Sequence, residues 1–130
     1  MRVLAFEDSY DIEKMLSEAG VDLQDYEFLQ YRNTMDCFDR IDEFKPDLLL
    51  LDEPTVGIDV NAKAEVRKII SDHVNSNSCS VILFSSDLDE VIRIADRIIV
   101  MYQGKVFEEI SNNPPIEEQV LHHTVQGAME

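Results

Sequence analysis

The stretch KPDLLLLDEPTVGID, from Lys45 to Asp59, decides how the chain folds. Its four consecutive leucines are typical of a central parallel strand that is buried on both faces. An acidic pair, Asp52 and Glu53, follows the leucines directly. Polar residues at this point lie at the carboxyl end of the strand, on the rim of the sheet. The stretch therefore predicts an α/β fold with carboxylates at one edge of a parallel sheet.

Segments typical of strands and helices alternate on both sides of this stretch, which favours an α/β sandwich with a mainly parallel sheet. The turn signal YQGK predicts that residues 106–110 return as an antiparallel edge strand or rearrange. The last residues, QGAME, are expected to fray. The other predicted strands are 2–6, 26–31, 47–51, 80–84 and 97–101, and the predicted helices are 10–19, 35–44, 61–74, 87–95 and 116–124.

The composition excludes several classes of partner. The chain has 130 residues, with 27 acidic and 11 basic side chains and a formal charge of -16. This charge opposes binding to nucleic acid and to anionic membranes, which rely on clustered Lys and Arg. The start, MRVLAFEDS, becomes acidic too early for a signal peptide, and no apolar run reaches the roughly 20 residues that span a bilayer. We expect one soluble, cytoplasmic domain.

The cysteines and histidines do not suggest a site. Cys37 and Cys79 lack the short spacing of a metal knuckle or a disulfide framework, so we expect two reduced, partly buried thiols. His122 and His123 are adjacent in a predicted helix, where neighbours do not share a face. They are interpreted as surface residues.

The part of the chain from about Leu48 onward resembles the C-terminal part of an ABC-transporter ATP-binding domain, most closely the sugar-importer type. Four segments carry the resemblance. They are LLLLDEPT (48–55) for the Walker B strand, GIDV (57–60) for the D-loop, VILFSSDLDEV (81–91) for the switch strand and its loop, and ADRIIVMYQGKV (95–106) for the following strand and hairpin.

This resemblance implies roles that the rest of the sequence does not support. In the family, the residue matching Asp52 holds Mg²⁺ through water and the one matching Glu53 polarises the attacking water. The sequence contains no GxxxxGK[ST] motif and no signature segment, and Ser86 stands where many members have His. We therefore expect no nucleotide and no ATP hydrolysis, with Glu53 a remnant. Gly57 and Asp59 are expected to form a turn and a helix N-cap.

The first part of the chain resembles the opening of a response-regulator receiver domain, a flavodoxin-like fold. RVLAFEDS (2–9) and KPDLLLLD (45–52) carry this resemblance. In receivers, the residues matching Glu7 and Asp8 hold Mg²⁺, and the residue matching Asp52 accepts a phosphoryl group. Three carboxylates at adjacent strand ends suit a hard divalent cation. Ser85 or Ser86 could stand where receivers keep a Ser or Thr.

Two features depart from the receiver pattern, and the sheet order is a further expectation. EPTVGID replaces the loop after the acceptor, and the Lys of the fifth strand end is missing, since Lys105 lies beyond the turn. The resemblance implies a five-stranded sheet of order 2-1-3-4-5, in a three-layer sandwich. An uncovered strand edge would favour a dimer, so we expect a monomer or a dimer through an exposed sheet edge.

The two resemblances overlap within PDLLLLD, a strand that either family could supply. We interpret the chain as an engineered chimera, with a receiver-like half (1–52) and an ABC-like half (53–130) in one domain. It is expected not to be an enzyme, and at most to bind Mg²⁺ weakly through Glu7, Asp8 and Asp52. The alternatives are a signalling receiver phosphorylated on Asp52 and a degenerate nucleotide-binding module.

Overall fold

The computed structural model describes residues 1–76 and 79–130. They form two compact units, Met1–Phe84 and Ser85–Glu130. The boundary between the units comes directly after a strand and not at the predicted junction near Asp52. The interpretation of the whole chain as one domain stays a prediction.

The first unit is a parallel sheet with helical connections. Its elements are β1 (Arg2–Phe6), α1 (Ile12–Glu18), β2 (Glu27–Tyr31), α2 (Thr34–Asp39), α3 (Ile41–Phe44), β3 (Leu48–Asp52), α4 (Val60–Ser76) and β4 (Ser80–Phe84). The four strands are parallel and lie in the order β2-β1-β3-β4. This confirms the α/β class and the predicted order of the first four strands.

The core of the first unit is centred on β3. Leu49 pairs in register with Leu4 of β1 on one side and with Val81 of β4 on the other. Leu49 and Leu51 are fully buried, as are Val66 and Ile70 of α4. Leu48 and Leu50, on the opposite face of β3, are partly buried, so the continuous leucines place apolar side chains on both faces of the strand.

The helix predicted over 35–44 is two helices. Arg40 has φ -90° and ψ -10°, and its N–H donates to the carbonyl of Cys37, three residues back, at 3.1 Å. This contact interrupts the four-residue spacing of an α-helix. The second helix then ends at Phe44, and its C-cap residue Lys45 has a positive φ of 51°.

The second unit is a β-hairpin packed with two helices: α5 (Leu88–Ile94), β5 (Arg97–Tyr102), β6 (Lys105–Ser111) and α6 (Glu118–Ala128). The turn residues Gln103 and Gly104 both have positive φ, 51° and 77°, as a two-residue type I′ turn requires. The antiparallel return predicted for residues 106–110 is confirmed.

A small apolar core holds the hairpin and α6 together. It consists of Ile98 and Val100 of β5 with Leu121 and Ala128 of α6. Leu121 and Ala128 are seven residues apart and therefore lie on one face of the helix. This packing explains why α6 continues through the tail that was expected to fray.

The fifth strand corrects the predicted five-stranded sheet. In the described part of the chain, the parallel sheet ends at β4, and β5 is hydrogen-bonded to β6 in a separate two-stranded sheet. The two-residue turn brings β6 beside β5 at a small cost in loop-closure entropy. No helix within 1–76 and 79–130 is long and apolar enough to cross a membrane.

We expect Leu49→Ala to lower the free energy of unfolding by about 2–5 kcal/mol, because it leaves a cavity at the centre of the sheet. Urea denaturation followed by circular dichroism measures this change. Val56→Ala is the control, since Val56 is 71% exposed, and should stay within about 0.5 kcal/mol of the unaltered protein. Equal effects of the two substitutions would contradict the central position of β3.

Candidate functional site

The candidate site lies at the carboxyl ends of β1 and β3. The two strands are neighbours, and Phe6 of β1 pairs with Leu51 of β3. Glu7 directly follows β1, and Asp52 is the last residue of β3. The structure therefore brings these two side chains to the same edge of the sheet. Glu7 is 3% exposed and Asp52 is partly buried.

A tyrosine that sequence reasoning missed belongs to this group. The hydroxyl of Tyr10 donates to Oδ2 of Asp52 at 3.2 Å. The backbone N–H of Ser9 donates to Oε1 of Glu7 at 2.8 Å. The β1–α1 loop thus carries three groups of this site, which are the Glu7 carboxylate, the Ser9 amide that donates to it and the Tyr10 hydroxyl that donates to Asp52. The sequence signal that could have indicated this role is the position of Tyr10, three residues after Glu7 in the same loop.

Gln30 of β2 fixes the loop that carries Tyr10. Its side-chain amide donates to the carbonyls of Glu7 and Tyr10, at 3.1 and 2.6 Å. Its carbonyl accepts the N–H of Ile12 at 2.9 Å, at the start of α1. One side chain therefore connects both ends of the loop to the neighbouring strand.

Burial and the nearby charge change the acidity of the group. Burial raises the pKa of Glu7, the neighbouring Asp52 raises it further, and the Ser9 N–H opposes the rise. The pKa of Tyr10 rises to about 12, again chiefly through burial and then through the charges of Asp52 and Glu7. A raised carboxyl pKa beside a second carboxylate is what a close acidic pair produces.

The third predicted metal ligand is placed differently. Asp8 is exposed, and its Oδ1 accepts a hydrogen bond from the hydroxyl of Ser9 at 3.0 Å. Within residues 1–76 and 79–130, no group of three or more His, Cys, Asp or Glu side chains is arranged to hold a metal ion. The predicted use of Glu7, Asp8 and Asp52 as metal ligands stays a prediction, and the geometry brings together two of them.

The segment after Asp52 forms a turn and a helix cap. Glu53 has a positive φ of 49°, which is uncommon outside glycine, and its N–H donates to the Phe84 carbonyl at 2.8 Å. Gly57 also has a positive φ, 79°. Oδ1 of Asp59 accepts the N–H of Ala62 at 2.8 Å, so Asp59 caps α4. This arrangement agrees with the predicted turn and N-cap.

Ser85 and Ser86, the two serines of the switch-like segment, lie in the second unit. Oγ of Ser85 accepts the N–H of Asp87 at 3.1 Å and lies 3.4 Å from Oε2 of Glu90. Ser86 is exposed. The contacts of Ser85 are local ones at the start of α5, where Asp87 is the N-cap.

Both cysteines are free and buried, as predicted. Burial raises the pKa of the Cys37 thiol to about 12. Burial also raises the pKa of Cys79, with a smaller contribution from the charge of Asp47. Thiols in such surroundings are poor nucleophiles.

Known proteins match the C-terminal part of the chain. It is 50% identical over 82 residues to the ribose import ATP-binding protein RbsA of Caldanaerobacter subterraneus, and 47% identical over 76 residues to the xylose import ATP-binding protein XylG of Histophilus somni. The chain spans only 16% and 15% of these relatives. The predicted similarity to sugar-importer ABC ATP-binding proteins is confirmed for this part. No family model matches the chain.

Solved structures give a likeness of fold. An ATP-binding cassette of an ABC transporter superposes with a TM-score of 0.61 and 16% identity, over 75% of this chain and 38% of that one. The pseudo-receiver domain of the CikA protein covers 99% of this chain and 97% of its own, with 16% identity. Its TM-score of 0.46 is too low to assign a shared fold.

We expect Glu7→Gln to change how stability depends on pH. Because the pKa of Glu7 is raised on folding, the folded state holds its proton more strongly than the unfolded chain. The resulting stabilisation is complete below the ordinary pKa of 4.5 and is lost as the pH rises through the higher pKa of the folded state. Relative to the unaltered protein, Glu7→Gln should therefore become more stable as the pH rises.

Urea denaturation between about pH 4 and about pH 7 measures this difference. Asp52→Asn serves as the second variant, because the Asp52 charge is one cause of the raised pKa. It should reduce the same pH dependence in part. If the stability of Glu7→Gln and that of the unaltered protein changed in parallel with pH, the result would contradict a raised pKa of Glu7.

The native protein should react slowly with a thiol reagent such as DTNB, since both thiols are buried and have raised pKa values. In denaturant, both should react rapidly, which the absorbance of the released thionitrobenzoate shows. Val60→Cys provides an accessible comparison, because Val60 is 80% exposed. A native Cys37 that reacts as fast as the added cysteine would contradict its burial.

Proposed function

We propose that the chain is a chimera of a receiver-like part and an ABC-like part, without an evolved catalytic function, whose acidic strand ends bind a divalent cation weakly. The position of β3 carries this proposal. It pairs with β1 on one side and with β4 on the other, within one parallel sheet. A receiver or an ABC ATP-binding domain could each supply this strand. One shared strand is therefore sufficient to join the receiver-like part to the ABC-like part.

Two carboxylates support cation binding and also limit its strength. Oxygen ligands from Glu7 and Asp52 suit Mg²⁺, and the net charge of -16 draws cations to the protein. The raised pKa of Glu7 strengthens the competition of protons with a cation, and the Tyr10 hydroxyl competes with a cation for Asp52. We therefore expect affinity on the order of millimolar or weaker.

The same group of side chains opposes a nucleotide-hydrolysing role. A nucleotide phosphate would face the carboxylates of Glu7 and Asp52 at this edge, and like charges at close range repel. Glu53 begins a turn, and its backbone has a left-handed conformation. We propose that the Walker B-like pair is a remnant and that the chain is not an enzyme.

The second candidate function is a receiver that takes a phosphoryl group on Asp52. Its support is the placement of a partly exposed Asp52 at the end of β3, beside the buried Glu7 at the end of β1. The replacement of the loop after Asp52 by the turn at Glu53 weighs against it. We rank this function below weak cation binding.

A Mn²⁺ titration followed by electron paramagnetic resonance tests the cation proposal, with Mg²⁺ as competitor. We expect weak binding that Asp52→Asn reduces several-fold, because it removes one of two carboxylate ligands. Asp42→Asn removes an equal charge on α3, which precedes β3, and should leave binding unchanged. Equal loss in both variants would mean that net charge alone attracts the ion.

Two further measurements separate the alternatives. A beryllofluoride adduct in the presence of Mg²⁺, lost in Asp52→Asn, would establish the receiver function over our proposal. Binding of ATP at micromolar concentration would establish a nucleotide-binding module. We expect neither signal.

A further inference from the structure

The edge strand β4 differs in charge from the other strands of the described structure. β1, β2, β3, β5 and β6 each contain at least one charged residue, whereas β4 reads SVILF. The uncharged run extends from Val74 to Ser86, in a chain of net charge -16. Edge strands are commonly protected from pairing by charged side chains or proline. β4 has neither.

Apolar side chains of β4 are open to solvent. Ile82 is 45% exposed and Phe84 is 52% exposed. Successive side chains of a strand alternate between its faces, so these two share one face. Val81 and Leu83, on the other face, are partly buried. The exposed pair forms a small apolar surface at the edge of the sheet.

The backbone of β4 also offers hydrogen bonds at this edge. The N–H of Ser80 donates to Asp47, and the carbonyl of Phe84 accepts from Glu53, so these residues direct their backbone groups toward the β3 side. Backbone groups of alternate residues point to opposite sides of a strand. Those of Val81 and Leu83 therefore point to the open edge, where no strand of the described structure pairs with β4.

We propose that two copies of the chain associate through antiparallel pairing of their β4 strands, centred on Ile82. In this register, Val81 and Leu83 of one copy exchange hydrogen bonds with Leu83 and Val81 of the other. Ile82 then lies opposite its own equivalent, in a pair without hydrogen bonds where side chains approach closely. Phe84 lies opposite Ser80.

The absence of charge along β4 permits a second copy at this position. Two chains of charge -16 repel, and opposed like charges across a strand pair are destabilising. β4 allows strands from two copies to meet without placing any charged side chains opposite each other. A basic partner could form no ion pair with β4, because the strand has no charged side chain. Such a partner would be attracted to the acidic surfaces of the protein instead.

The contact is small, which sets the expected strength. It consists of one five-residue strand and two half-exposed side chains from each copy, well below the roughly 800 Å² per partner of a standard interface. The dimer should therefore be weak and depend on concentration. Because salt screens the repulsion between the copies, added NaCl should strengthen association.

Sedimentation equilibrium from about 10 µM to about 1 mM tests the proposal. The average mass should rise from 14.9 kDa toward twice that value, and rise further in salt. Ile82→Lys should weaken association about tenfold or more, whereas Val60→Lys, at another exposed apolar position, should not. Circular dichroism checks that both variants fold. A mass of 14.9 kDa at every concentration overturns the proposal.

A cross-link tests the register. Opposed residues of such a pair have Cα atoms about 4.5 Å apart, which a disulfide can bridge. Oxidation of Ile82→Cys should give a covalent dimer, and oxidation of Val60→Cys should not. Equal cross-linking of the two variants overturns the register. Met101→Lys, in β5 of the hairpin, tests another exposed apolar position. A dimer that persists in Ile82→Lys but is lost in Met101→Lys overturns the role of β4.

Discussion

Burial of β3 between β1 and β4 is the constraint on which the first unit depends. Leu49 and Leu51 have no exposed surface and pair with apolar residues of both neighbouring strands. A strand in this position must be apolar on both faces, and its last residue must lie at the rim. The leucine run and Asp52 satisfy these two requirements together. We interpret this strand as one that either a receiver or a sugar-importer ATP-binding protein could supply.

The chemistry at the rim follows from that arrangement. Parallel pairing brings the end of β1 beside the end of β3, and so places Glu7 near Asp52. Gln30 then holds the loop from Glu7 to Ile12, and the loop directs Tyr10 to Asp52. The outcome is a carboxylate pair in which burial raises the pKa of Glu7 and the hydroxyl of Tyr10 donates to Oδ2 of Asp52. On the proposed function, this group binds a divalent cation weakly and repels a phosphate, because like charges at close range repel.

Sequence patterns predicted the features that depend on local periodicity. The bounds of β4 agree with the prediction, and those of β1 and β3 differ by at most one residue, because apolar runs between polar turns mark buried strands. The turn at Gln103 and Gly104 was also predicted from neighbouring residues, by the turn signal YQGK. The placement of Glu7 and Asp52 at one edge followed from strand direction alone.

Features that depend on packing between distant segments could not be predicted. Nothing local marks the break at Arg40, since residues 35–44 keep helical spacing throughout. The continuation of α6 to Ala128 depends on contact with Ile98 and Val100. The role of Tyr10 depends on the position of Gln30, a residue twenty positions later. The fifth strand was assigned to the parallel sheet by analogy with receivers, and no local pattern marks its separation from β4 in the described residues.

Interstrand nuclear Overhauser effects across β3 test the central claim most directly. The structure predicts contacts between the backbone protons of Leu49 and those of both Leu4 and Val81, in a parallel pattern on each side. Finding both sets would establish that one strand joins the two parts of the chain. Contacts with Leu4 alone, and none with β4, would contradict that account.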